Sequence, residues 1–488
     1  MSDSVFKKSA LGSFYYIAVT SITMVLGFIR AIALMRLLGV DSFGTISLAM
    51  VFSRFVLPFS SLGLDHALLQ KKAPSEEAYS THFILRIGFS IIVGLTCLGI
   101  SPIMRIGFDD QMVNIFLILL VINLIDSTYA THFVILRREM RFGSLAIINL
   151  CTSISMTILT PLAAYLGAGV WSLVLEQALG SIIRWGSAWL IIHPHQLSLR
   201  LSSEEARSQL SFGSQVTYGN LLGTVLDRFD DFWVGTTLGS TALGYYSRAY
   251  ELTQYPERLL SAPITTVFIS AYASRREERQ ELSKLFFRSS SFLVRTGFLI
   301  SAIMVLTAPE LVTILFTSRW LSIVPIFRLM TIYILFDPIY INLSTMLVGI
   351  GHPKLLNRVR LIQAGIFILA VILLAEFWGT SGVAIAADVM MMTGVVLLIG
   401  TSQRFVQFSL RRMWLLPSLA ALLACTVGYF LPKQLPISTP VSLLIIKTGF
   451  ILITYVVTML IFEFNDIRRY GFASIKPILE ELKLLVRQ

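Results

Sequence analysis

Residues 144–166 read SLAIINLCTSISMTILTPLAAYL, and this stretch contains no Asp, Glu, Lys or Arg. A helix of about 20 mostly apolar residues is long enough to cross the roughly 30 Å hydrocarbon core of a bilayer. A run of this length without a charge is typical of a membrane-spanning helix. The stretch therefore predicts that the chain is embedded in a membrane.

The composition of the whole chain agrees with this prediction. Of the 488 residues, 55% are apolar and only 14% are charged, and the mean hydropathy is +0.76. A soluble domain carries about a quarter of its residues as charged side chains, because it must cover a water-facing surface. The composition therefore excludes a water-soluble protein.

Similar apolar runs, separated by charged residues, Pro and Gly, recur along the chain. They predict an all-α integral membrane protein with about fourteen transmembrane helices. Their limits are 11–35, 43–69, 81–101, 112–135, 144–166, 170–192, 212–236, 242–272, 286–307, 322–348, 359–377, 380–400, 411–431 and 440–462.

The basic residues between the spans predict the orientation of the chain. With the N-terminus inside, the inward segments hold 25 Lys and Arg, and the outward segments hold only four, Arg36, Arg105, Arg319 and Lys433. Cytoplasmic loops carry the excess of positive charge in membrane proteins. Both termini are therefore predicted to be cytoplasmic. The net charge of +11 is explained by these loops and by anionic headgroups, so nucleic-acid binding is not predicted.

A short repeat predicts how the spans are grouped. The segment 38–49, LGVDSFGTISLA, and the segment 238–249, LGSTALGYYSRA, share Leu, two Gly, Ser and Ala at an offset of 200 residues. Parallel repeats are common in transporters that rock two halves around a central cavity. We therefore predict two pseudo-symmetric six-helix lobes, 1–210 and 211–405, followed by an extra helix pair and a cytoplasmic tail, 406–488.

Charged side chains interrupt several spans, and their spacing places them on polar helix faces. Charges inside a membrane usually face a cavity or a partner, since exposure to lipid is costly. The polar faces carry Arg30 on span 1, Arg54 and Asp65 on span 2, Asp227–Asp231 on span 7, Arg248, Tyr255 and Arg258 on span 8, and Asp337 on span 10. Together they predict a wet cavity between the halves. The alternative is that these charges pair with one another and hold the helices together.

The arginines indicate the chemistry of the cargo. A guanidinium group stays charged when it is desolvated, and its fork matches phosphate oxygens, so a pyrophosphate headgroup is a natural ligand. The predicted substrate-binding residues are Arg30, Arg54, Arg248, Arg258, Asp65 and Tyr255. Asp230 and Asp337 are the candidates for coupling to an ion.

No residues predict a reaction, a cofactor or a metal. The chain has no GxxxxGK[ST] loop for ATP and no GxSxG motif, and its six histidines show no ligand spacing. The three cysteines are far apart and predict neither disulfides nor a zinc site. An enzyme is therefore not expected.

Several motifs resemble one known family. They are RLLG at 36–39, SLGLD at 61–65, LRREMRF at 136–142, GAGVWSLV at 167–174, YYSRAY at 245–250 and GHPK at 351–354. They resemble the polysaccharide-biosynthesis branch of the multidrug/oligosaccharidyl-lipid/polysaccharide exporter superfamily, in particular the lipopolysaccharide and colanic-acid exporters. The resemblance extends from about residue 5 to residue 420.

The resemblance implies fourteen helices in two lobes, a location in the bacterial inner membrane, and a function. Such proteins flip undecaprenyl-pyrophosphate-linked oligosaccharides from the cytoplasmic to the outer leaflet. Related flippases of lipid-linked peptidoglycan precursors use cavity arginines on helices 1, 2 and 8, where this chain carries Arg30, Arg54 and Arg248; the match is one of helix position alone. The implied partners are the lipid-linked oligosaccharide, membrane lipids and other polysaccharide assembly proteins. A proton gradient, a sodium gradient or the membrane potential would supply the energy.

Two alternatives remain open at this point. A drug/cation antiporter of the same superfamily would favour acids over arginines in its cavity. A polysaccharide polymerase or ligase would carry a large outward loop, and the longest outward loop here has roughly a dozen residues. An alternating-access flippase accounts best for the sequence.

Overall fold

A computed structural model describes residues 3–190, 200–256, 268–269, 271–436 and 439–466, with side chains throughout except at 3–18, 256 and 463–466. These residues are helical apart from short turns, and no strand occurs among them. The all-α prediction is therefore confirmed.

In the described part of the first half, residues 3–190 and 200–256, the chain forms nine helices. They are α1 (Asp3–Leu37), α2 (Val40–Ser61), α3 (Leu64–Gln70), α4 (Glu76–Gly107), α5 (Asp110–Arg138), α6 (Phe142–Tyr165), α7 (Trp171–Leu190), α8 (Ser203–Trp233) and α9 (Ser240–Pro256). A π-helical turn, Val234–Leu238, extends α8.

The second half contains further long helices in its described parts. They are α10 (Arg279–Leu315), α11 (Val324–Gly349), α12 (Pro353–Ser402), α13 (Leu416–Phe430) and α14 (Pro440–Asp466). Short 3-10 or π-helical turns, Ser318–Ile323, Arg411–Leu415 and Leu431–Gln434, lie beside α11 and α13.

Ten helices in the described ranges are long and apolar enough to cross a membrane. One of them, α12, covers two predicted spans, because Gly379 interrupts its 50 residues with a left-handed φ of 54°. The three other predicted spans, 170–192, 212–236 and 242–272, coincide with α7, α8 and α9, which are not among these ten; parts of the first and the last lie outside the described residues. The chain is a multi-pass membrane protein.

Side-chain caps explain where several helices begin. Ser75 accepts a hydrogen bond from the backbone N–H of Ala78 at 3.2 Å, and Asp109 accepts one from Gln111 at 3.0 Å. Ser202 caps α8 through the N–H of Glu205 at 3.4 Å. Each cap satisfies a donor that the first turn of a helix would otherwise leave without a partner.

A break between α2 and α3 changes the direction of a predicted span. Leu62 and Gly63 both adopt left-handed backbone angles, with φ of 42° and 62°. A Cβ on Gly63 would meet the carbonyl oxygen of Gly213, so the turn also needs glycine for its close packing on α8. Asp65 therefore lies on a separate short helix rather than on one continuous polar face with Arg54.

The described chain divides into two compact units, and the first contains residues 1–244. In this unit α1 packs on α6, α6 and α5 pack on α7, and α2 packs on α4, α5 and α8. At the ends of these helices Lys71 forms an ion pair with Glu205, and Gln209 donates to the carbonyl of Ala78 at 3.0 Å. These contacts hold α8 firmly in the first unit.

The second unit contains residues 245–487, and α10 lies at its centre. Helices α11, α13 and α14 all pack on α10, around buried Phe286, Leu343 and Ile451. Lys447 of α14 pairs with Glu310 of α10 at 2.6 Å, and Tyr455 donates to the carbonyl of Arg295 at 2.9 Å. The predicted extra helix pair, α13 and α14, is thus an integral part of this unit.

The division between the units falls at a different residue from the predicted lobe boundary. The sequence analysis placed 211–236 in the second lobe, whereas α8 packs in the first unit. The reason is local, since Gly63 and Gly213 let α3 and α8 approach at backbone distance. The three lobe ranges themselves stay a prediction.

In both copies of the repeat a helix begins directly after the first glycine, and the two copies contact each other. Gly39 and Gly239 each precede a helix that begins one residue later, at Val40 and at Ser240. A Cβ on Gly44 would meet the carbonyl of Ser240, and a Cβ on Gly244 would lie 2.6 Å from the carbonyl oxygen of Val40. The two close contacts are therefore related by the same offset of 200 residues as the two sequence segments.

Candidate functional site

The first unit contains a cavity of about 330 Å³ among α2, α4, α5 and α8. Three of its lining residues are arginines, Arg54, Arg86 and Arg228, and one is an acid, Asp227. The other lining residues are Leu57, Pro58, Ser60, Ser61, Asn123, Asn220 and Thr224. The cavity therefore combines guanidinium groups with hydroxyl and amide groups and little apolar surface.

The polar face of α2 supplies one wall. Arg54, Pro58 and Ser61 follow one another at steps of four and three residues and all line the cavity, as one face of a helix requires. The hydroxyl of Ser60 donates to the carbonyl of Leu57 at 2.8 Å. Arg54 itself is exposed, so its guanidinium group is accessible from the cavity.

Asn123 joins three helices behind this wall. Its amide donates to the hydroxyl of Ser60 on α2 at 3.1 Å and to that of Ser90 on α4 at 2.8 Å. Because side-chain hydrogen bonds between membrane helices fix their positions, the lining is held in place by neutral groups.

Arg86 is a site residue that the sequence analysis missed. It lies on α4, is 7% exposed, and still reaches the cavity lining. Its guanidinium donates to the carbonyl of Ser60 at 3.3 Å and pairs through Nε with Asp65 at 3.2 Å. The signal was present, since Arg86 is a charged residue inside the predicted span 81–101.

Asp65 does not line the cavity itself but contacts Arg86, which does. It is absent from the lining, and its Oδ1 atom lies 3.2 Å from both Arg86 Nε and His82 Nε2. His82 is fully buried, and its Nδ1 forms a hydrogen bond of 2.9 Å with the hydroxyl of Thr131 on α5. The three helices α3, α4 and α5 thus share one polar chain that ends at the cavity.

The acid cluster of α8 contributes to both the cavity and its surroundings. Asp227 and Arg228 line the cavity, and Arg228 pairs with Asp231 at 2.8 Å. Asp230 and Asp231 are each 3% exposed and lie inside the first unit. The ion-coupling role assigned to Asp230 stays a prediction.

Two other predicted arginines form ion pairs away from the cavity lining. Arg30 of α1 pairs with Glu176 of α7 at 3.0 Å, and Arg248 pairs with Glu251 one turn later on α9. These contacts match the alternative stated above, in which intramembrane charges hold helices together. Of the three predicted arginines that the structure describes, Arg54 is the one that lines this cavity.

The remaining predicted residues lie elsewhere. Tyr255 is half-buried at the end of α9, and Asp337 is buried on α11, both in the second unit. Arg258 lies outside the described residues. Substrate binding by Tyr255 and Arg258 and ion coupling by Asp337 therefore stay predictions.

The composition of the cavity favours an anion. Among the described lining residues three carry guanidinium groups and one carries a carboxylate, while Asp65 and Asp231 contact Arg86 and Arg228 from outside the lining. Arginine presents paired N–H donors that suit phosphate oxygens. No group of three or more potential metal ligands occurs in the described residues.

Residues 33–325 match the sequence profile of a family described as polysaccharide biosynthesis protein. The chain belongs to this family. The matched range includes the whole cavity, from Arg54 on α2 to Arg228 on α8. One relative, the lipopolysaccharide biosynthesis protein WzxC of Escherichia coli (strain K12), is 19% identical over 388 residues, which are 78% of each chain.

Solved structures of other proteins share the fold of this chain. The lipid II flippase MurJ in an inward closed conformation superposes with a TM-score of 0.75 at 17% identity, covering 93% of this chain and 99% of MurJ. An inward-facing multidrug resistance MATE family transporter of the MOP superfamily gives a TM-score of 0.62 at 18% identity, covering 80% of this chain and 98% of that one. The chain has the fold of these membrane transporters.

Family and fold together agree with the sequence analysis on the class of protein. The resemblance to the oligosaccharide flippases of the exporter superfamily is confirmed. The chain is a multi-pass membrane protein of a polysaccharide-biosynthesis family and has the fold of the MurJ and MATE proteins.

Proposed function

We propose that this chain is a flippase that carries undecaprenyl-pyrophosphate-linked oligosaccharide repeat units from the cytoplasmic to the outer leaflet of a bacterial inner membrane. It would do so by alternating access, with both termini cytoplasmic, for the synthesis of a surface polysaccharide. The observation that supports this proposal is the cavity with Arg54, Arg86 and Arg228 inside a transporter fold.

The diphosphate is the part of such a cargo that the cavity can recognise. A cavity of about 330 Å³ is large enough for a diphosphate and its first sugar, and its Ser, Thr and Asn groups can exchange hydrogen bonds with sugar hydroxyls. The arginines would bind the phosphate oxygens in pairs of N–H bonds. The prenyl chain would stay in the lipid, where its burial needs no protein pocket.

The relatives support the same class of cargo. WzxC is named for lipopolysaccharide biosynthesis, and MurJ is named as a flippase of lipid II. The family to which this chain belongs is named for polysaccharide biosynthesis. We propose that other polysaccharide assembly proteins are its partners in the membrane, and that a proton gradient, a sodium gradient or the membrane potential drives the transport.

The drug/cation antiporter is the second candidate, and the MATE transporter fold is the observation that favours it. The lining argues against it, because its described residues offer an organic cation a single carboxylate, that of Asp227, beside three guanidinium groups. Drug susceptibility of a deletion strain separates the two, since an exporter of polysaccharide precursors should leave it unchanged.

The test is Arg54→Ala in a strain that lacks the chromosomal copy. We expect at least about a tenfold loss of surface polysaccharide, because one charge-assisted phosphate contact is worth about 1.5–3 kcal/mol. Lipid-linked oligosaccharide should accumulate on the cytoplasmic side, and immunoblots should show the same amount of protein in the membrane.

Arg105→Ala is the matched control, because Arg105 pairs with Asp110 on the surface and does not line the cavity. It should export normally. Normal export by Arg54→Ala as well would overturn the assignment of the cavity to the cargo.

A further inference from the structure

Asp65 places a carboxylate against an arginine that the cargo would also bind. Its Oδ1 atom is 3.2 Å from Arg86 Nε, while the same guanidinium group lies in the cavity lining and donates to Ser60. A phosphate in the cavity and the carboxylate of Asp65 therefore compete for one cation.

Asp65 is held in this position by a buried histidine and by its own backbone. His82 contacts the same oxygen through Nε2 at 3.2 Å and is itself anchored by Thr131. The start of α3 is fixed by the left-handed turn at Gly63, which packs on Gly213 of α8. The competing carboxylate is thus a built feature rather than a surface side chain that could swing away.

The environment of Asp65 differs from that of a sealed structural pair. Its side chain is 35% exposed, whereas those of His82 and Arg86 are 0% and 9% exposed. A partly exposed carboxylate keeps a stable position when Arg86 turns towards another anion, because water can replace the lost contact. Arg86 can therefore change partners without leaving a buried charge alone.

We propose that Asp65 is an internal counter-anion that competes with the cargo diphosphate for Arg86 and so promotes its release. His82 is a positioning residue that keeps Asp65 within reach of the guanidinium group. This inference rests on the proposed function, and it explains how a cavity with three arginines avoids holding a diphosphate too tightly. A transporter must bind its cargo loosely enough to let it leave.

The proposal predicts a split between binding and transport in Asp65→Asn. The amide keeps the size and one hydrogen-bond acceptor but removes the competing charge. The full chain in lipid nanodiscs should bind radiolabelled farnesyl diphosphate about tenfold more tightly, a typical size for coupling between two sites. Surface polysaccharide in the deletion strain should fall at least about threefold, because release becomes slow.

Two further variants and a second probe sharpen the measurement. His82→Gln should tighten binding in the same direction by about twofold to threefold, since it loosens the carboxylate without removing it. Asp126→Asn is the matched control, because Asp126 accepts hydrogen bonds from Tyr129 and Ser181, does not line the cavity and is not the acid paired with Arg86. It should leave the affinity unchanged. Inorganic pyrophosphate should displace the bound probe, which identifies the diphosphate as the recognised group.

The outcomes separate this inference from the proposed function. Binding to the wild type that Arg54→Ala weakens, together with equal or weaker binding by Asp65→Asn, would reject the counter-anion and leave the flippase standing. Absence of binding to the wild type would reject the diphosphate site itself. If Asp65→Asn does not accumulate in the membrane, His82→Gln decides, and a loss of affinity in that variant overturns the proposal.

Discussion

Two interior clusters, one in each unit, bury polar side chains in different ways. In the first unit the interior beside the cavity contains ionic groups, with Arg86 and Asp65 in contact and His82 behind them. In the second unit a buried cluster of neutral groups joins three segments, with Tyr272 between Ser289 of α10 and Asn342 of α11. Under the proposed function, the first cluster consists of charges placed for a ligand and the second of polar groups placed for packing.

The polar groups of the neutral cluster form hydrogen bonds with one another. The hydroxyl of Tyr272 lies 2.6 Å from Ser289 and donates to Asn342 at 2.9 Å, and the amide of Asn342 donates to Ser289 at 2.9 Å and to Ser290 at 2.7 Å. All four side chains are nearly inaccessible. Such a network specifies helix packing and has little left to offer a ligand.

The largest effect should come from Arg86→Gln in the first unit. It removes a cation from the cavity wall, so farnesyl diphosphate should bind about 10- to 100-fold more weakly. Equilibrium binding in nanodiscs measures this, and Arg86→Lys should recover part of the loss. Unchanged affinity would mean that the ionic interior of the first unit also serves packing alone.

A charged pair in the second unit tests whether every buried charge in this protein takes part in cargo binding. Lys447 and Glu310 form a pair between α14 and α10, with side chains only 16% and 9% exposed. Lys447→Met should lower the free energy of unfolding by about 3 kcal/mol, because it leaves a buried carboxylate without its cation.

The double variant Lys447→Met/Glu310→Gln should recover most of this stability. Thermal unfolding in detergent measures both variants, and the affinity of the folded protein for farnesyl diphosphate should not change. A loss of affinity that the double variant fails to restore would give this pair a part in cargo binding.

The smallest effect should come from Asn342→Leu in the neutral cluster. Replacing the amide leaves Tyr272 and two serines with fewer partners, so we expect a loss of about 1–3 kcal/mol of stability. Thermal unfolding should show the decrease, and diphosphate binding by the remaining folded protein should equal that of the wild type. Weaker diphosphate binding would show that the neutral cluster of the second unit also affects the cargo, as the ionic cluster of the first unit is proposed to do.

The sequence predicted the membrane helices because their signal is local. Length and apolar composition decide a span, and α4, α5 and α6 lie where the runs predicted them. Arg54 was also accessible to this reasoning, since a polar face is visible from spacing within one helix. The pairing of Arg248 with Glu251 follows from the same short-range spacing.

Contacts between distant segments could not be predicted in this way. Arg30 pairs with Glu176, and Asp65 meets Arg86 only because the chain turns at Leu62 and Gly63. A helical projection of span 2 treats that turn as continuous helix, so it placed Asp65 on the same face as Arg54. Arg86 was overlooked although the rule for intramembrane charges applies to it directly.

The contact between the repeat copies has a consequence for the origin of the chain. Gly44 contacts Ser240, and Gly244 contacts Val40. The second contact joins the residues that correspond to the first pair in the other copy of the repeat, 200 positions away. A half-length ancestor would make both contacts at once with a second identical molecule, as the self-complementary surface of a two-fold homodimer does. Gene duplication and fusion would then have turned an association between two subunits into a permanent feature of a single polypeptide.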